Sequence, residues 1–448
     1  MEKIKRIAKT AAGIIAGLFV FCMIAKGLNY IYVPDSEWER IVMHHFYDDR
    51  GQIDNLFLGS SHLHNDIDPF MLDELNGQYN FNLATPAQLL NGTYYLLKEA
   101  EKTNDLSHVY IELYYYYHVE REDGTEPILT EPFRNWQVTD YMKFSPNKLA
   151  YMSSITDAEE YPGILFPFSR YRSELDNWDH IRATKENKKG EDYIHFRSSH
   201  VFEDGNGYEE CRGKGYRYST RILADKNRLW AQGCILTEKP VAETSEYYLR
   251  KAISYCRKKD IPVTLFVSPM YELQLISTEN YDRYVSQIRE IAAEYDVEFY
   301  DFNLAKEEYF PIQQTKYYMD VEHLNADGSQ LFTDFFWQIA SGDREENEKY
   351  FYDTYSEKLE KKEPELYGIY YREDGQSKHM RIASNREAGI EYKIVLTPTE
   401  PADKGEYLVQ DFSENKEFPV DEGEHGVCTI TCRIRNAPEI LQTVQIEY

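Results

Sequence analysis

The chain has 448 residues, more than one ordinary core requires, and this length predicts about two or three domains. Hydrophobic residues make up 42% of the chain and tyrosine is abundant, so a large core can be buried and global disorder is excluded. The 50 basic and 77 acidic residues give a formal net charge of −27. Such a field repels phosphate backbones, and we therefore expect no nucleic-acid partner.

An apolar run near the N-terminus predicts a membrane anchor over residues 1–33. A basic cluster comes first, formed by Lys3, Lys5, Arg6 and Lys9. Residues 10–25 are apolar, and after Lys26 residues 27–33 are again mostly apolar, which matches the roughly 20 residues that a membrane helix needs. The charge difference across the run predicts a single-pass protein of the cell membrane, with the bulk of the chain extracytoplasmic. A cleaved signal peptide is the alternative, but no clear A-x-A site follows the run.

Six cysteines are scattered along the chain, at positions 22, 211, 234, 256, 428 and 432. No two of them form a C-x-x-C pair, so the sequence favours neither a zinc site nor a thioredoxin-like site. Cys428 and Cys432 would share one face of a strand with their Cα atoms about 13 Å apart, too far for a disulfide between them. The spacing leaves any other disulfide pairing open.

Short apolar segments alternate with helical patterns after the anchor. We predict strands over residues 53–58, 79–83, 108–113, 262–267 and 297–302. Amphipathic spacing predicts helices between them and a last helix over residues 327–339. Alternating strands and helices are typical of a parallel α/β sheet covered on both faces, in which reactive residues collect at the carboxyl ends of the strands. We assign this domain to residues 34–341.

Residues 120–239 interrupt the alternation and predict an inserted subdomain. They are rich in charge, proline, tryptophan and tyrosine, and they form too long a segment for a bare loop. Aromatic planes stack on sugar rings and arginine donates forked hydrogen bonds, so some of its side chains could line a groove for sugar. The candidates are Arg134, Trp136, Arg170, Arg172 and Trp178. Internal packing and surface ion pairs are the alternative for each of them.

The pattern changes again towards the C-terminus. Residues 342–365 are highly charged and predict a linker, while residues 366–448 hold short strand-like runs without helices. Such runs predict a small all-β, sandwich-like domain. The predicted strands cover residues 367–371, 380–383, 390–396, 407–412, 427–434 and 443–448.

Two short motifs carry residue types suited to nucleophilic catalysis. Gly59-Ser60-Ser61-His62 follows the first predicted strand, where a hydroxyl can stand at the edge of the sheet with backbone amides free to hold an oxyanion. Asp320 precedes His323 by one tight turn, just before the last predicted helix, so its carboxylate can hold the imidazole while the other ring nitrogen accepts a serine proton. Taken singly, each motif is also compatible with ordinary turn or cap chemistry.

Together, in this order along the chain, the two motifs resemble the SGNH/GDSL esterase and acyltransferase superfamily. The resemblance covers about residues 54–339 without the insertion. It implies a flavodoxin-like parallel sheet flanked by helices, with Ser61 as nucleophile and His323 and Asp320 completing a triad. Within the superfamily, the anchored chain is similar to proteins that acylate surface polymers, such as the D-alanyl transfer protein of teichoic-acid modification and the alginate O-acetylation proteins.

The chain departs from the superfamily pattern at the oxyanion donors. Typical members carry Gly-x-Asn-Asp after the third strand, but Tyr114 and three further tyrosines stand here. The second-block glycine is also replaced, by the segment 82–86. An oxyanion would then depend on the Ser61 amide, with further oxyanion or substrate contacts expected from Asn82, Ala84, Thr85, His62 and Tyr114. Loss of one oxyanion donor typically costs about 10²–10³ in rate, so the departure disfavours efficient hydrolysis and is compatible with transfer.

The resemblance implies an extracytoplasmic serine enzyme that transfers an acyl group, most simply acetyl, to a cell-surface polysaccharide. The expected partners are a surface polysaccharide or acylated glycan and a membrane-bound acyltransferase, with no cofactor. His62-Leu63-His64 has no neighbouring ligands in the sequence, so we expect no metal site. A carbohydrate esterase or deacetylase is one alternative, and a non-catalytic glycan-binding scaffold with a relic fold is another.

Overall fold

The computed structural model describes residues 2–35, 37–120, 124–155, 158–202, 205–223, 230–373, 378–400, 404–421 and 423–448. The first element is a single long helix, α1 (Glu2–Tyr32). Its apolar side chains, such as Leu18 and Phe19, are largely exposed rather than packed into a core. By length and composition α1 can cross a membrane, a property that signal sequences share.

A five-stranded parallel sheet forms the centre of the molecule. Its strands are β1 (Asn55–Gly59), β2 (Asn80–Ala84), β3 (His108–Glu112), β4 (Val263–Val267) and β5 (Glu298–Asp301). The order across the sheet is β2-β1-β3-β4-β5. This is the doubly wound, flavodoxin-like order, in which the chain reverses direction across the sheet between β1 and β3. The predicted α/β class and all five predicted strands are confirmed, with ends that differ by one or two residues.

Helices cover both faces of the sheet. They are α2 (Glu37–Asp48), α3 (Ser61–Asp66), α4 (Pro69–Asn76), α5 (Leu90–Glu101), α6 (Glu243–Lys258), α7 (Tyr281–Tyr295) and α8 (Ala326–Ala340). On α6, Leu249, Ala252, Ile253 and Cys256 are buried at the spacing of one helix face. The aromatic face of α8 packs against the sheet, where Phe336 contacts Phe57 with 5.7 Å between ring centroids.

The inserted region leaves and returns to the sheet at neighbouring points, because Val119 and Val241 form an antiparallel bridge. The short helical segment Tyr115–Tyr117 precedes it, and its own helical segments are Pro127–Thr130, Pro132–Thr139, Pro146–Met152, Ala158–Glu160, Tyr161–Leu165, Pro167–Glu174, Trp178–Asn187 and Glu191–Ile194. Its short strands are Ser199–Val201, Tyr208–Gly213, Tyr216–Ser219, Trp230–Gln232 and Cys234–Ile235, the last of which pairs with Thr278–Glu279.

Two four-stranded sheets form the C-terminal region. Their strands are β6 (Leu366–Glu373), β7 (Lys378–Ser384), β8 (Ile390–Glu400), β9 (Tyr407–Ser413), β10 (Glu417–Pro419), β11 (His425–Ile434) and β12 (Ile440–Glu447). One sheet runs β9-β8-β11-β12 and is antiparallel, while the other runs β10-β7-β6 and ends on Trp230–Gln232 of the inserted region. Buried side chains from both sheets, including Met380 and Ile430, share one core.

The charged connection before β6 packs against the α/β part rather than hanging free. It contains the helical segments Arg344–Asn347, Glu348–Tyr350 and Tyr355–Lys361. Lys358 is buried and donates to the carbonyl of Asn303 at 2.7 Å, and the Tyr355 hydroxyl donates to the Glu272 carboxylate at 2.8 Å. All six cysteines are free in the structure, and Cys428 and Cys432 are both buried.

Candidate functional site

The candidate site lies where β1 ends and α3 begins. Ser60 is the N-cap of α3, and its hydroxyl accepts from the amide of His62 at 3.3 Å. Ser61 is therefore the first residue of the helix, a position at which the amide N–H has no intrahelical acceptor. The strand-to-helix turn thus presents the Ser61 hydroxyl and its amide at the carboxyl edge of the sheet, where α/β proteins bind ligands.

A chain of hydrogen bonds joins Ser61, His323 and Asp320. The Oγ of Ser61 lies 2.8 Å from Nε2 of His323. The Nδ1 of His323 lies 3.0 Å from both carboxylate oxygens of Asp320. The structure thus brings together the three residues predicted as nucleophile, base and orienting carboxylate, in the geometry that base-assisted attack by serine requires.

Charges around His323 favour its protonated form. Burial disfavours the imidazolium, but the Asp320 carboxylate outweighs burial and raises the pKa of His323 to about 9. Burial would also raise the pKa of Asp320, yet the charge of His323 and the amides of Glu322 and His323 hold it well below its ordinary value. Asp320 is therefore ionised at neutral pH and can stabilise the imidazolium that forms when His323 takes a proton.

Glu112, at the end of β3, holds the turn that precedes Ser61. Its carboxylate accepts from the amide of Ser60 at 3.0 Å and from the hydroxyl of Ser60 at 2.9 Å. A Cβ placed on Gly59 would lie 2.6 Å from the Cβ of Glu112, so only glycine lets the two strands approach this closely. Burial raises the pKa of Glu112. The glycine of the motif is thus explained by the close approach of a neighbouring strand.

Asp66, the last residue of α3, links this helix to the loop that carries His323. Its carboxylate is fully buried and accepts from the amide of Leu324 at 3.0 Å. Burial raises the pKa of Asp66 well above its ordinary value. On the other side of this loop, Asn325 caps α8 by accepting from the amide of Gly328 at 3.1 Å. Asp66 was not predicted from the sequence. The one sequence feature that could indicate its role is its position one helical turn after His62 on α3.

Two ring systems and one carboxylate lie beside His323. The ring of His62 lies between those of Tyr114 and His323, with centroid distances of 4.0 Å and 4.8 Å. The Tyr114 hydroxyl donates to Glu322 at 2.6 Å. Burial lowers the pKa of His62 to about 4, so its imidazole is neutral at neutral pH. Glu322 also lay outside the predicted site, although it stands inside the D-x-x-H motif.

His62, Glu322 and His323 are also the types of residue that bind metals, and their nearest donor atoms lie within 4.8 Å of one another. The Nε2 of His323 is already engaged by Ser61, and Glu322 accepts from Tyr114. A metal there would compete with the hydrogen bond between His323 and Ser61. The expectation that the chain uses no metal stays a prediction.

The structure gives Asn82 and Thr85 structural partners. Asn82 is fully buried, and its amide nitrogen donates to the carbonyls of Ile67 at 2.8 Å and Leu63 at 3.4 Å. The Thr85 amide donates to Gln88 at 3.2 Å. Ala84 is buried at the end of β2, in register with the last residue of β1. These donors of Asn82 and Thr85 are thus engaged in hydrogen bonds within the protein. The Ser61 amide is therefore the better candidate donor to an oxyanion.

The five groove candidates of the inserted region do not form one lining. Arg170 stacks on Trp136 with 4.6 Å to the ring centroid and forms an ion pair with Asp140. Arg134 lies over the ring of Tyr117, 5.1 Å from its centroid. Arg172 and Trp178 are exposed, the latter at the start of the Trp178–Asn187 helix. Internal packing therefore accounts for Arg170 and Trp136, as the alternative interpretation expected.

Comparisons with known proteins do not assign this chain to a family. No family model and no curated protein matches it. Two structures of a Cellulomonas fimi endo-beta-1,4-mannanase, one a double mutant, align at 10% identity over 93% of this chain and 98% of theirs, with a TM-score of 0.15. An engineered protein aligns at 8% identity over the same shares, with a TM-score of 0.14. Scores this low carry no argument about fold or function.

Proposed function

We propose that this chain is an SGNH/GDSL-type serine enzyme of the cell envelope that transfers an acyl group, most simply acetyl, to a surface polysaccharide. The observation that carries the proposal is the run of hydrogen bonds from Ser61 through His323 to Asp320. A non-catalytic scaffold has no need to hold a serine hydroxyl 2.8 Å from a histidine that is itself oriented by a carboxylate.

In the first half-reaction Ser61 takes the acyl group. Its Oγ loses a proton to Nε2 of His323 as it attacks the acyl carbonyl of the donor ester. The Ser61 amide donates to the oxyanion of the tetrahedral intermediate. Collapse of that intermediate breaks the ester bond of the donor, and His323 returns the proton to the departing alkoxide. Asp320 stays ionised throughout and stabilises the imidazolium.

In the second half-reaction a sugar hydroxyl accepts the group. The hydroxyl loses its proton to the neutral His323 and attacks the acyl carbonyl on Ser61. The new ester leaves, and the proton passes from His323 to the Oγ of Ser61, which restores the free enzyme. Water in place of the sugar would make the protein a carbohydrate esterase or deacetylase, the second candidate for the same site.

Two features favour transfer over hydrolysis. The apolar, exposed helix α1 suits an anchor that would keep the site beside a surface polymer, with the bulk of the chain extracytoplasmic. The third strand ends in Glu112, which supports Ser60, and is followed by Leu113 and Tyr114 rather than by an oxyanion-binding asparagine. A weakened oxyanion site slows attack by bulk water unless a bound acceptor supplies its own positioning. A membrane-bound acyltransferase is the kind of partner that would load Ser61.

The test is acylation of the full-length protein with 4-nitrophenyl acetate, followed by peptide mass mapping. We expect an acetyl adduct on Ser61 that accumulates in buffer and decays faster when oligosaccharides are added, with acetylated sugar as the product. Ser61→Ala should abolish the adduct, and Ser60→Ala should retain it. Rapid decay in buffer alone would favour the esterase, and absence of an adduct on Ser61 would contradict both enzymes.

A further inference from the structure

The inserted region grips the C-terminal end of α1 through a buried lysine. The Nζ of Lys188 donates to the carbonyls of Asn29, Tyr30 and Val33 at 3.3, 3.2 and 2.7 Å. Lys188 is buried and also pairs with Asp35 at 3.1 Å. A helix runs out of intrahelical donors at this end, so a cation placed among the last carbonyls is favourable. The inserted region is therefore held against the end of α1 by direct contacts.

A second contact lies further back along α1. The ring of Phe166 meets the ring of Phe21 edge to face, with 5.2 Å between centroids. Phe21 precedes the last residue of α1, Tyr32, by about 16 Å along the helix axis. Between these levels, the amide of Phe168 donates to the side chain of Asn29 at 2.9 Å. The segment that contains Phe166 and Phe168 thus runs beside α1, below the level at which the helix ends.

Exposed apolar side chains flank these contacts. Leu165, next to Phe166, is 36% exposed, and Leu175 and Trp178 are 53% and 76% exposed. The hydroxyl of Tyr32 donates to the carbonyl of Leu175 at 3.4 Å, which puts Leu175 close to the end of α1. Exposed tryptophan and leucine side chains cost free energy in water, and their placement beside a helix long enough to cross a membrane marks a candidate interaction surface.

We infer that this edge of the inserted region enters the outer leaflet of the bilayer beside α1, so that lipid acyl chains cover Leu165, Leu175 and Trp178. The inference rests on α1 crossing a membrane, the localisation proposed above. A hydrocarbon core about 30 Å thick places a group that lies about 16 Å back from the helix end among the acyl chains. Trp178 precedes His180, whose Nε2 lies 2.8 Å from the carbonyl oxygen of Tyr32, and would therefore lie at the interface, where tryptophan is enriched.

Such a second membrane contact would set the height and tilt of the α/β sheet above the bilayer. A single membrane helix leaves the attached domain free to rotate and tilt. A second membrane contact, made by an inserted region that Lys188 fixes to α1, would restrict both motions. The carboxyl edge of the sheet would then face one fixed direction. Acceptors or acyl donors held at the membrane surface would meet Ser61 at a constant distance.

The test uses the full-length protein in phosphatidylcholine vesicles whose acyl chains carry bromine, a contact quencher of tryptophan. The chain has 5 tryptophans, so the share due to Trp178 is read by comparing variants. We expect brominated lipid to quench part of the emission, and Trp178→Phe to remove most of that quenched part. Trp337→Phe, on α8, is the matched control and should leave the quenched part in place. Quenching unchanged by Trp178→Phe would overturn the inference.

A second variant tests depth. Leu165→Trp in the Trp178→Phe background should be quenched more by bromine near the middle of the acyl chain than by bromine near the headgroup. Leu408→Trp, at an exposed leucine of β9, should not be quenched by either lipid. Vesicle flotation tests the α1 anchor separately from the second membrane contact. Flotation without quenching at either position would leave α1 as an anchor and reject the second contact, and failure to float would reject both.

Discussion

Two buried carboxyl groups, those of Glu112 and Asp66, position Ser61 and His323 through hydrogen bonds to neighbouring residues. Glu112 holds the backbone and hydroxyl of Ser60, and Asp66 holds the amide that follows His323. Both carboxyls are buried, and burial raises the pKa of each. A buried carboxyl group costs free energy unless hydrogen bonds replace its lost hydration. Here those hydrogen bonds hold the two backbone segments that carry Ser61 and His323.

The raised pKa of His323 predicts an unusual pH dependence of acylation. His323 must be neutral to accept the proton of Ser61, so the acylation rate should rise with pH up to about 9, the pKa of His323. Asp320→Asn removes the carboxylate that favours the imidazolium. This variant should shift the rise to lower pH and reduce the plateau rate by about 10⁴-fold, the loss that the same change causes in a serine protease.

The measurement is the rate of 4-nitrophenyl acetate acylation between acid and alkaline pH for the two proteins. Glu322 also favours the charged form of His323, so Glu322→Gln should move the profile in the same direction by a smaller amount. A wild-type profile that is already flat above neutral pH would contradict the raised pKa of His323.

Glu112 is predicted to be a positioning residue. Glu112→Ala removes the acceptor of the Ser60 amide and hydroxyl, so the turn should loosen and acylation of Ser61 should slow by about 10–100-fold. Glu112→Gln keeps an acceptor oxygen and should restore most of the rate. Thermal unfolding of each variant gives the control, because a purely structural role would lower stability and leave the rate per folded molecule unchanged.

The sequence predicted the three residues of the hydrogen-bonded chain because two of its motifs are local. Asp320 and His323 lie on one turn, and Gly59 to Ser61 follow one strand, so neighbouring residue types carried the signal. Asp66 could not be found this way, and Glu112 could be placed near the site, at the end of the third strand, but not paired with Ser60. Asp66 acts on Leu324 and Glu112 on Ser60, and these pairs meet only when the sheet and α8 assemble.

At the scale of elements, the central sheet was predictable and the inserted region was not. Buried parallel strands are rich in apolar residues, and β1 to β4 each hold at least three in five. The inserted region contains short helical segments of three to ten residues, several of which begin at a proline, and such short segments show no clear periodicity. Its strand Trp230–Gln232 pairs with β6, a contact between distant segments that no local pattern indicates.

The hairpin Tyr208–Gly213 and Tyr216–Ser219 is predicted to depend on Gly215. It docks on the edge of β2, where the carbonyl of Lys214 accepts from the amide of Asn82 at 2.9 Å. A Cβ on Gly215 would lie 1.7 Å from the carbonyl oxygen of Asn82. Gly215→Ala should therefore force the hairpin off β2 and lower the free energy of unfolding by several kcal/mol, roughly 3 or more.

Gly205→Ala is the matched control. Gly205 has φ of +68°, close to the +71° of Gly215, but a Cβ there would meet nothing within 4 Å. Its alanine variant should lose about 1 kcal/mol from backbone strain alone. Chemical denaturation of both proteins separates the two effects, and equal losses would show that the contact with β2 contributes nothing.

At the scale of the whole molecule, the C-terminal region is joined to the α/β part through side chains as well as through the chain. Tyr367, Tyr370 and Ala383 are buried with residues of the central sheet and α8 in one cluster. Arg381 forms an ion pair with Glu279 at 3.6 Å. The sequence could not indicate these contacts, because they join segments that lie far apart along the chain.

The proposed orientation predicts how intact cells respond to protease. If α1 crosses the membrane with the basic end inside, protease added outside should digest the chain beyond residue 33 and spare a fragment that carries α1. A cytoplasmic protein of the same cells should stay intact as the control. Protection of the whole chain until the cells are lysed would reject this orientation and, with it, the proposed place of action.

The most direct test of the central claim is labelling of the full-length protein with a fluorophosphonate, followed by mass mapping of the modified peptide. A serine hydroxyl at neutral pH reacts only when a base activates it. We predict a label on Ser61 that His323→Ala reduces by about 10⁶-fold and that Asp320→Ala reduces less, by about 10⁴-fold. Ser60→Ala should keep the label on Ser61. Labelling that moves to Ser60, or that persists at full rate in His323→Ala, would contradict the account.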